Sequence, residues 1–309
     1  MPHCHIQWNQ ISLPAWEERF DQIRRASLLQ SYDYARVICA ANHQKARWGL
    51  IFLDDKEAGL VQILEARLGR QLLHGLILDC GPLWFDGFGT PAHITAFFDT
   101  LNHEFPARFG RRRRIIPAAA SFEHPSYKRL PHPAYQTIWL DLDQEEEILR
   151  KALKPKWRNK LKKAEQSDLS IDWDEEGKNL SWLLTKYQSD QAKKEYDGAS
   201  VALIRQFAKI FVPKNHLLIG RAIVDNQAIA AILILCHGKS ATYQIGWSSE
   251  DGRKAAAHNL LLWQTVCHLK NKGFLDLDLG GINNDKAQGV SSFKEGMGGQ
   301  KITYAGHYF

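Results

Sequence analysis

Apolar residues in the first half of the chain recur with two periods. Trp16, Phe20 and Ile23 stand three or four positions apart behind Leu13-Pro14, the pattern of a helix with one buried face and a proline in its first turn. A second short helix is predicted around Tyr32 to Ala40. Trp48 to Leu53 reads as a strand, Asp54-Asp55 as a turn, and Ala58 to Leu64 as the returning strand. Leu72 to Leu78 is a third strand, closed by Gly81-Pro82. Thr90 and Pro91 supply an N-cap and a first-turn proline for a helix from Pro91 to Leu101, and Arg113 to Ile116 makes a last strand before Pro117.

The second half repeats this plan. Helices are predicted around Trp182 and Tyr187 and over Leu203 to Phe211. Strands over Leu217 to Val224, Ala228 to Cys236 and Ala241 to Ile245 meander through turns at Asp225-Asn226 and His237-Gly238. A helix over Ala256 to Lys270 stops at Gly273, and a strand over Phe274 to Leu279 closes the unit. Each half thus runs helices, a β-meander, a helix and a final strand. That order predicts an α/β protein with mixed sheets, built from one duplicated unit.

Between the halves the pattern turns polar. Asp143 is placed to cap a helix whose first turn carries Glu145, Glu146 and Glu147, matching the positive end of the helix dipole. Arg150, Lys151, Lys154, Lys156, Arg158, Lys160, Lys162 and Lys163 follow, with Pro155 forcing a break or restart. On a helix Lys156, Lys160 and Lys163 share a face while Trp157 and Leu161 pack elsewhere. Such a segment is either a solvated amphipathic helix or a phosphate-binding surface bordering a cleft between the halves.

Composition narrows the classes. The 309 residues favour two domains, and 44% hydrophobic with 24% charged residues is ordinary for a globular chain. A net charge of +6 suits an RNA or phosphate partner and equally suits proteins with neither. The 10 tryptophans either fill cores or stack on flat ligands. Cys4, Cys39, Cys80, Cys236 and Cys267 are scattered, so neither a disulfide frame nor a zinc site is indicated, His3-Cys4-His5 included. No metal or cofactor is expected. Trp8, Asn9, Gln10 and Glu17 interrupt any signal-like apolar core at the start, and the longest apolar run, Ala228 to Cys236, is too short to span a bilayer. The expectation is a cytoplasmic protein without a membrane span.

Several phrases resemble one family. Leu29-Gln30-Ser31 with Tyr34-Ala35-Arg36-Val37 is similar to its first-domain opening motif, Gly81-Pro82 to its glycine-proline pair, and Lys154 to Lys163 to its basic segment. The most specific match is Phe274-Leu275-Asp276-Leu277-Asp278-Leu279-Gly280-Gly281-Ile282, followed by Phe293-Lys294 and Tyr304-Ala305-Gly306. Together these resemble the Fem family of peptidoglycan-bridge aminoacyltransferases over nearly the whole chain. The form is compact, because the Tyr196 to Phe211 connection has no room for the helical hairpin some members insert. The resemblance implies two tandem GNAT-like acyltransferase domains with a cleft between them, residues 1–140 plus 302–309 and residues 141–301. It also implies transfer of an amino acid from aminoacyl-tRNA to an amine-bearing small molecule or peptide, a peptidoglycan precursor included.

That chemistry asks for few side chains. Aminoacyl-tRNA is an activated ester, and aligning it with an amine lowers a barrier by roughly 7–11 kcal/mol. Backbone N–H groups beside a splayed strand could hold the oxyanion, so a nucleophile–His–Asp set is not required. The resemblance places Phe293 and Lys294 at the tRNA acceptor end, with Lys156, Arg158 and Lys160 as further donor contacts. Read without it, the pair is a core phenylalanine beside a surface lysine. Gly280 and Gly281 suit close backbone approach to a ligand or a tight strand exit. Asp278 matches the aspartate before the glycines and is either a base or a turn-stabilising residue.

The sequence departs from the family where the acceptor binds. Ile38, Ala199, Leu203 and Gln244 stand where members acting on the nucleotide-linked peptide carry a lysine, an arginine and two tyrosines, and Ile116 replaces an aspartate before Pro117. Arg36, Lys193, Lys194 and Tyr196 lie nearby and are the substitutes on offer. An N-acyltransferase using acyl-CoA or acyl-carrier protein is the first alternative. Its pyrophosphate loop, Gln/Arg-x-x-Gly-x-Gly/Ala, reads here Arg253-Lys254-Ala255-Ala256-Ala257-His258, with no glycine inside. A non-catalytic RNA- or partner-binding protein is the second alternative.

Overall fold

The computed structural model describes residues 2–68, 73–194, 198–282 and 288–309. The chain divides into two compact units, Met1–Gln136 with Ile302–Phe309, and Thr137–Lys301. The first unit opens with β1 (Cys4–Trp8), which pairs antiparallel with β2 (Lys45–Leu53). The sequence pattern does not announce this strand; Cys4 and His5 belong to a sheet edge and His3 leads into it. Ser12 accepts from the Ala15 N–H to start α1 (Leu13–Phe20), and Ser31 accepts from the Tyr34 N–H to start α2 (Tyr32–Asn42). Asp54 and Asp55, at φ 46° and 62°, form the two-residue turn from β2 to β3 (Lys56–Leu68), the geometry that suits hairpin twist. Next come β4 (Leu73–Gly81), β5 (Leu83–Trp84), α3 (Pro91–Glu104, capped by Thr90) and β6 (Arg111–Pro117).

Among the described residues the first sheet runs β1-β2-β3-β4-β6, with β5 on β3, and only β4 and β6 are parallel because α3 crosses between them. Both faces are covered. Phe97, Phe98 and Leu101 of α3 pack with Ile63, Leu78, Ile115 and Tyr308 on one side, and Trp16, Phe20 and Ile23 with Leu50 and Leu60 on the other.

The second unit adds β7 (Gln136–Asp141), α4 (Glu146–Ala152), α5 (Pro155–Glu165), β8 (Ser170–Asp174), α6 (Leu180–Lys194) and α7 (Val201–Phe211). Then follow β9 (Leu217–Val224), β10 (Gln227–His237), β11 (Ser240–Ser248), α8 (Glu250–Lys254), α9 (Ala257–Asn271), β12 (Asp276–Asp278), α10 (Gln288–Glu295) and β13 (Gln300–Thr303). The sheet order is β13-β7-β12-β11-β10-β9-β8. Asp143 does not cap α4. Its own N–H donates to Asp141 in the turn after β7, and Glu145 takes the cap position without a side-chain cap bond.

The predicted strand over Phe274 to Leu279 is paired only from Asp276 to Asp278 and is buried on both faces, with Asp276 and Asp278 buried like Leu277 and Leu279. Strand β13 lies in the second sheet, after which Tyr308 bridges Ile115 and Arg129 of the first unit. Among the described residues, no helix is long and apolar enough to cross a membrane, and no group of three or more His, Cys, Asp or Glu is placed to hold a metal.

Candidate active site in the second unit

Strands β11 and β12 are parallel neighbours at Ser240–Asp276, Ala241–Leu277 and Thr242–Asp278. There the pairing stops, although β11 continues to Ser248. A β-bulge sits just beyond: Tyr243 pairs with Ile234 and Ile245 with Leu233, leaving Gln244 as the extra residue. Two parallel strands that part in mid-sheet leave backbone groups facing an opening.

The residues after β12 line this opening. Gly280 adopts φ 74°, and a Cβ there would stand 2.9 Å from the Tyr243 carbonyl oxygen, so close approach and a left-handed turn both call for glycine. Asp278 Oδ1 accepts the Thr137 hydroxyl and, at 2.8 Å, the Gly280 N–H. Lys294, reaching back from α10, donates to the carbonyls of Gly280 (3.2 Å) and Gly281 (2.9 Å). Its Nζ stands 5.6 Å from the Tyr243 ring centre. Burial pushes this ammonium down to about 8, opposed by the charge of Asp278. Burial likewise pushes Asp278 up, opposed by its two hydrogen bonds and by Lys294.

A second pair completes the cluster. The Tyr243 hydroxyl is 2.9 Å from His258 Nε2, at the start of α9. Burial, with a smaller contribution from the Lys194 charge, takes His258 down to about 4, so the ring is neutral at pH 7. If the phenol donates to Nε2, the proton resides on Nδ1, which is buried and meets no acceptor among the described residues. Gly246 makes room for this pair, because a Cβ there would lie 2.0 Å from the Tyr243 hydroxyl oxygen. Phe293 is half-buried, its ring centre 5.8 Å from His258 and 6.0 Å from Trp157.

The structure therefore gathers Asp278, Gly280, Gly281, Phe293 and Lys294 into one place. Lys294 is not the surface lysine that residue type alone would suggest; it is 7% exposed. Helix α5 joins through Trp157, while Lys156 and Lys160 point to solvent. Arg158 is partly engaged, donating to the carbonyls of Lys151 and Leu153 at the end of α4. Lys193 and Lys194 are exposed on the last turn of α6, with Lys194 paired to Asp190 at 2.8 Å. Arg36, in the first unit, is exposed and 6.0 Å from the Tyr32 ring centre. Tyr196 lies outside the described residues. Sequence reasoning missed Thr137, Tyr243 and His258. Gly246, within a strand of nine residues, is the one signal pointing to the latter two.

The turn before α9 carries the question of donor. Short helix α8 fills it, and Gly252 is seated so that a Cβ would be 2.3 Å from the Ile229 carbonyl. Helix α9 itself begins after Ala256, held at φ 54°, with no side-chain cap bond.

Residues 151–295 match the sequence family described as an acetyltransferase (GNAT) domain. No curated protein matches. Among solved structures, FemX superposes with a TM-score of 0.76 at 13% identity, covering 98% of this chain and 96% of that one. A conserved protein of unknown function from Bacteroides thetaiotaomicron VPI-5482 gives 0.62 at 11% identity, with 98% of each chain covered. The C-terminal domain of a putative lysylphosphatidylglycerol synthetase from Agrobacterium fabrum gives 0.50 at 12%, covering 94% and 90%. These likenesses establish the fold, two α/β units in tandem, of which the second carries the GNAT match. With the family match they support an acyltransferase of the GNAT type.

Proposed function

We propose that the chain transfers an aminoacyl group from aminoacyl-tRNA to an amine, forming an amide. The observation that carries this reading is the pairing of a buried ammonium, Lys294, with a half-buried aromatic ring, Phe293, where β11 and β12 part. The ammonium suits a phosphate or carbonyl oxygen of the donor, and the ring offers a stacking face to a terminal base. The fold shared with FemX and the motif resemblance to the Fem family support the same donor.

In the reaction the amine nitrogen bonds to the acyl carbon, the ester C–O bond breaks, and an amine proton passes to the departing ribose oxygen, which leaves as a hydroxyl. This chain would supply alignment and charge. Gly280 and Gly281 let donor and backbone approach, Asp278 fixes the turn that presents them, and Lys294 holds positive charge beside the forming oxyanion. Lys156 and Lys160 would meet tRNA phosphates, with Arg158 contributing where its carbonyl contacts allow. Arg36, Lys193, Lys194 and Tyr196 remain the acceptor candidates, for a small molecule or peptide such as a peptidoglycan precursor. The reaction needs no cofactor, and a charged tRNA would place it in the cytoplasm.

The uncapped start of α9 favours a second reading, acyl transfer from an acyl-CoA or acyl-carrier thioester, because a helix N-terminus attracts phosphate. Helix α8, with Glu250 and Asp251 in its first turn, occupies the adjoining turn and counts against a diphosphate there. Filter binding of charged tRNA across a salt series tests the first reading. Changing Lys156 and Lys160 together to Glu should weaken binding at every sequence and flatten the salt slope. A slope identical to the parent's would remove α5 from the donor surface.

A further inference from the structure

Among the described residues of the first unit, one buried carboxylate oxygen has no donor. Parallel strands β4 and β6 end side by side, pairing Leu78 with Ile115, Asp79 with Ile116 and Gly81 with Pro117. The backbone at Asp79 is braced. Buried Gln30 donates its amide to the carbonyls of Asp79 (2.8 Å) and Gln62 (3.1 Å) while its oxygen accepts the Gln62 N–H at 2.8 Å. The Asp79 side chain is 12% exposed. Arg114, across the strand pair, donates to Oδ2, whereas Oδ1 is buried and meets no hydrogen-bond partner among the described residues. Tyr34 and His307 are close enough for their own titration to feel this charge.

An unsatisfied buried acceptor is costly, so Oδ1 stands ready to take a donor. The atom lies at the carboxyl ends of adjacent parallel strands, where open α/β sheets collect ligands. The braced backbone fixes its position, as a binding group requires. Arg114 is itself 54% exposed. The donor that fits is a cationic one, because a carboxylate bonds most strongly to an ionised N–H.

We propose that Asp79 anchors a primary amine, its Oδ1 accepting an N–H from the ligand beside Arg114. This binding does not rest on the transfer reading above.

The test is titration of the full chain, without any donor, by 1,5-diaminopentane and by 1,5-pentanediol, followed calorimetrically and by NMR. The diamine should bind saturably and the diol should not. Asp79→Asn should weaken the diamine about tenfold or more, the loss of one charge-assisted bond. Arg114→Ala should tighten it, because the competing cation is gone. Arg114 is more than half in solvent, so this variant carries the test even if Asp79→Asn folds poorly. Equal affinity for diamine and diol, or an Arg114→Ala variant that loses affinity, would overturn the site and leave Asp79–Arg114 a structural ion pair. Diamine binding with no transfer from aminoacyl-tRNA would keep the site and reject only the donor.

Discussion

Replacing Lys294 with methionine removes a buried charge while keeping most of the side chain's bulk. The ammonium falls from an ordinary 10.5 to about 8 on burial. At about 1.4 kcal/mol for each tenfold in proton affinity, holding the charge costs the folded chain about 3 kcal/mol. Against this, the variant leaves the carbonyls of Gly280 and Gly281 without their donor, a loss of about 1–3 kcal/mol for each one kept from water. Gly281 is exposed, so water can replace the amine there. The two effects offset, and near pH 7 the variant should stay within about 2 kcal/mol of the parent.

The pH dependence separates them. Between pH 8 and 10.5 the unfolded parent still holds a proton that the folded parent has released, so the parent gains stability as pH rises through that window. The variant has no such group. Urea unfolding from about pH 7 to 10 should therefore show the parent pulling ahead by up to about 3 kcal/mol. Parallel stability curves would refute the buried ammonium. Transfer activity measured on the same samples should fall well below the parent's even where the stabilities match.

Gly246→Ala should break the Tyr243–His258 pair, since its Cβ would meet the hydroxyl oxygen at 2.0 Å; the expected result is slower turnover with a near-normal melting temperature, and normal turnover would assign that pair to structure alone. Gly280→Ala forces an L residue into φ 74° and a 2.9 Å contact with the Tyr243 carbonyl, which should cost about 1–2 kcal/mol in urea unfolding as well as activity. Arg158→Ala should lower stability by about 1 kcal/mol through the lost contacts to the Lys151 and Leu153 carbonyls. That variant should change the salt slope of tRNA binding less than Lys156→Glu does.

Much of the architecture could be read from periodicity because both meanders have strong turn chemistry. Asp54-Asp55 and Asp225-Asn226 take the positive φ that hairpin turns need, and β9 runs over the predicted residues. Strands β1, β7 and β8 are not legible in the pattern because each has five or six residues with mixed polarity and is defined by its partners. Asp143 resembles a cap because capping residues and turn residues are chemically alike. At the site, Gly280, Gly281 and Lys294 are visible as a motif, but the burial of Lys294 is not, since nothing local marks a lysine that turns inward. Tyr243 and His258 meet only because a bulge at Gln244 and the bare backbone of Gly246 allow it. Asp79 is hidden for a similar reason: its neighbour Arg114 lies 35 residues away and reaches it only through strand pairing.

The central claim is the identity of the donor. Purified chain should be given a mixed pool of radiolabelled aminoacyl-tRNAs and, separately, labelled acetyl-CoA, each with an amine panel that includes peptidoglycan precursor peptides. The account predicts label moving from tRNA into an RNase-resistant amide, reduced in Lys294→Met. Label moving only from acetyl-CoA would contradict it and assign the site to a thioester donor.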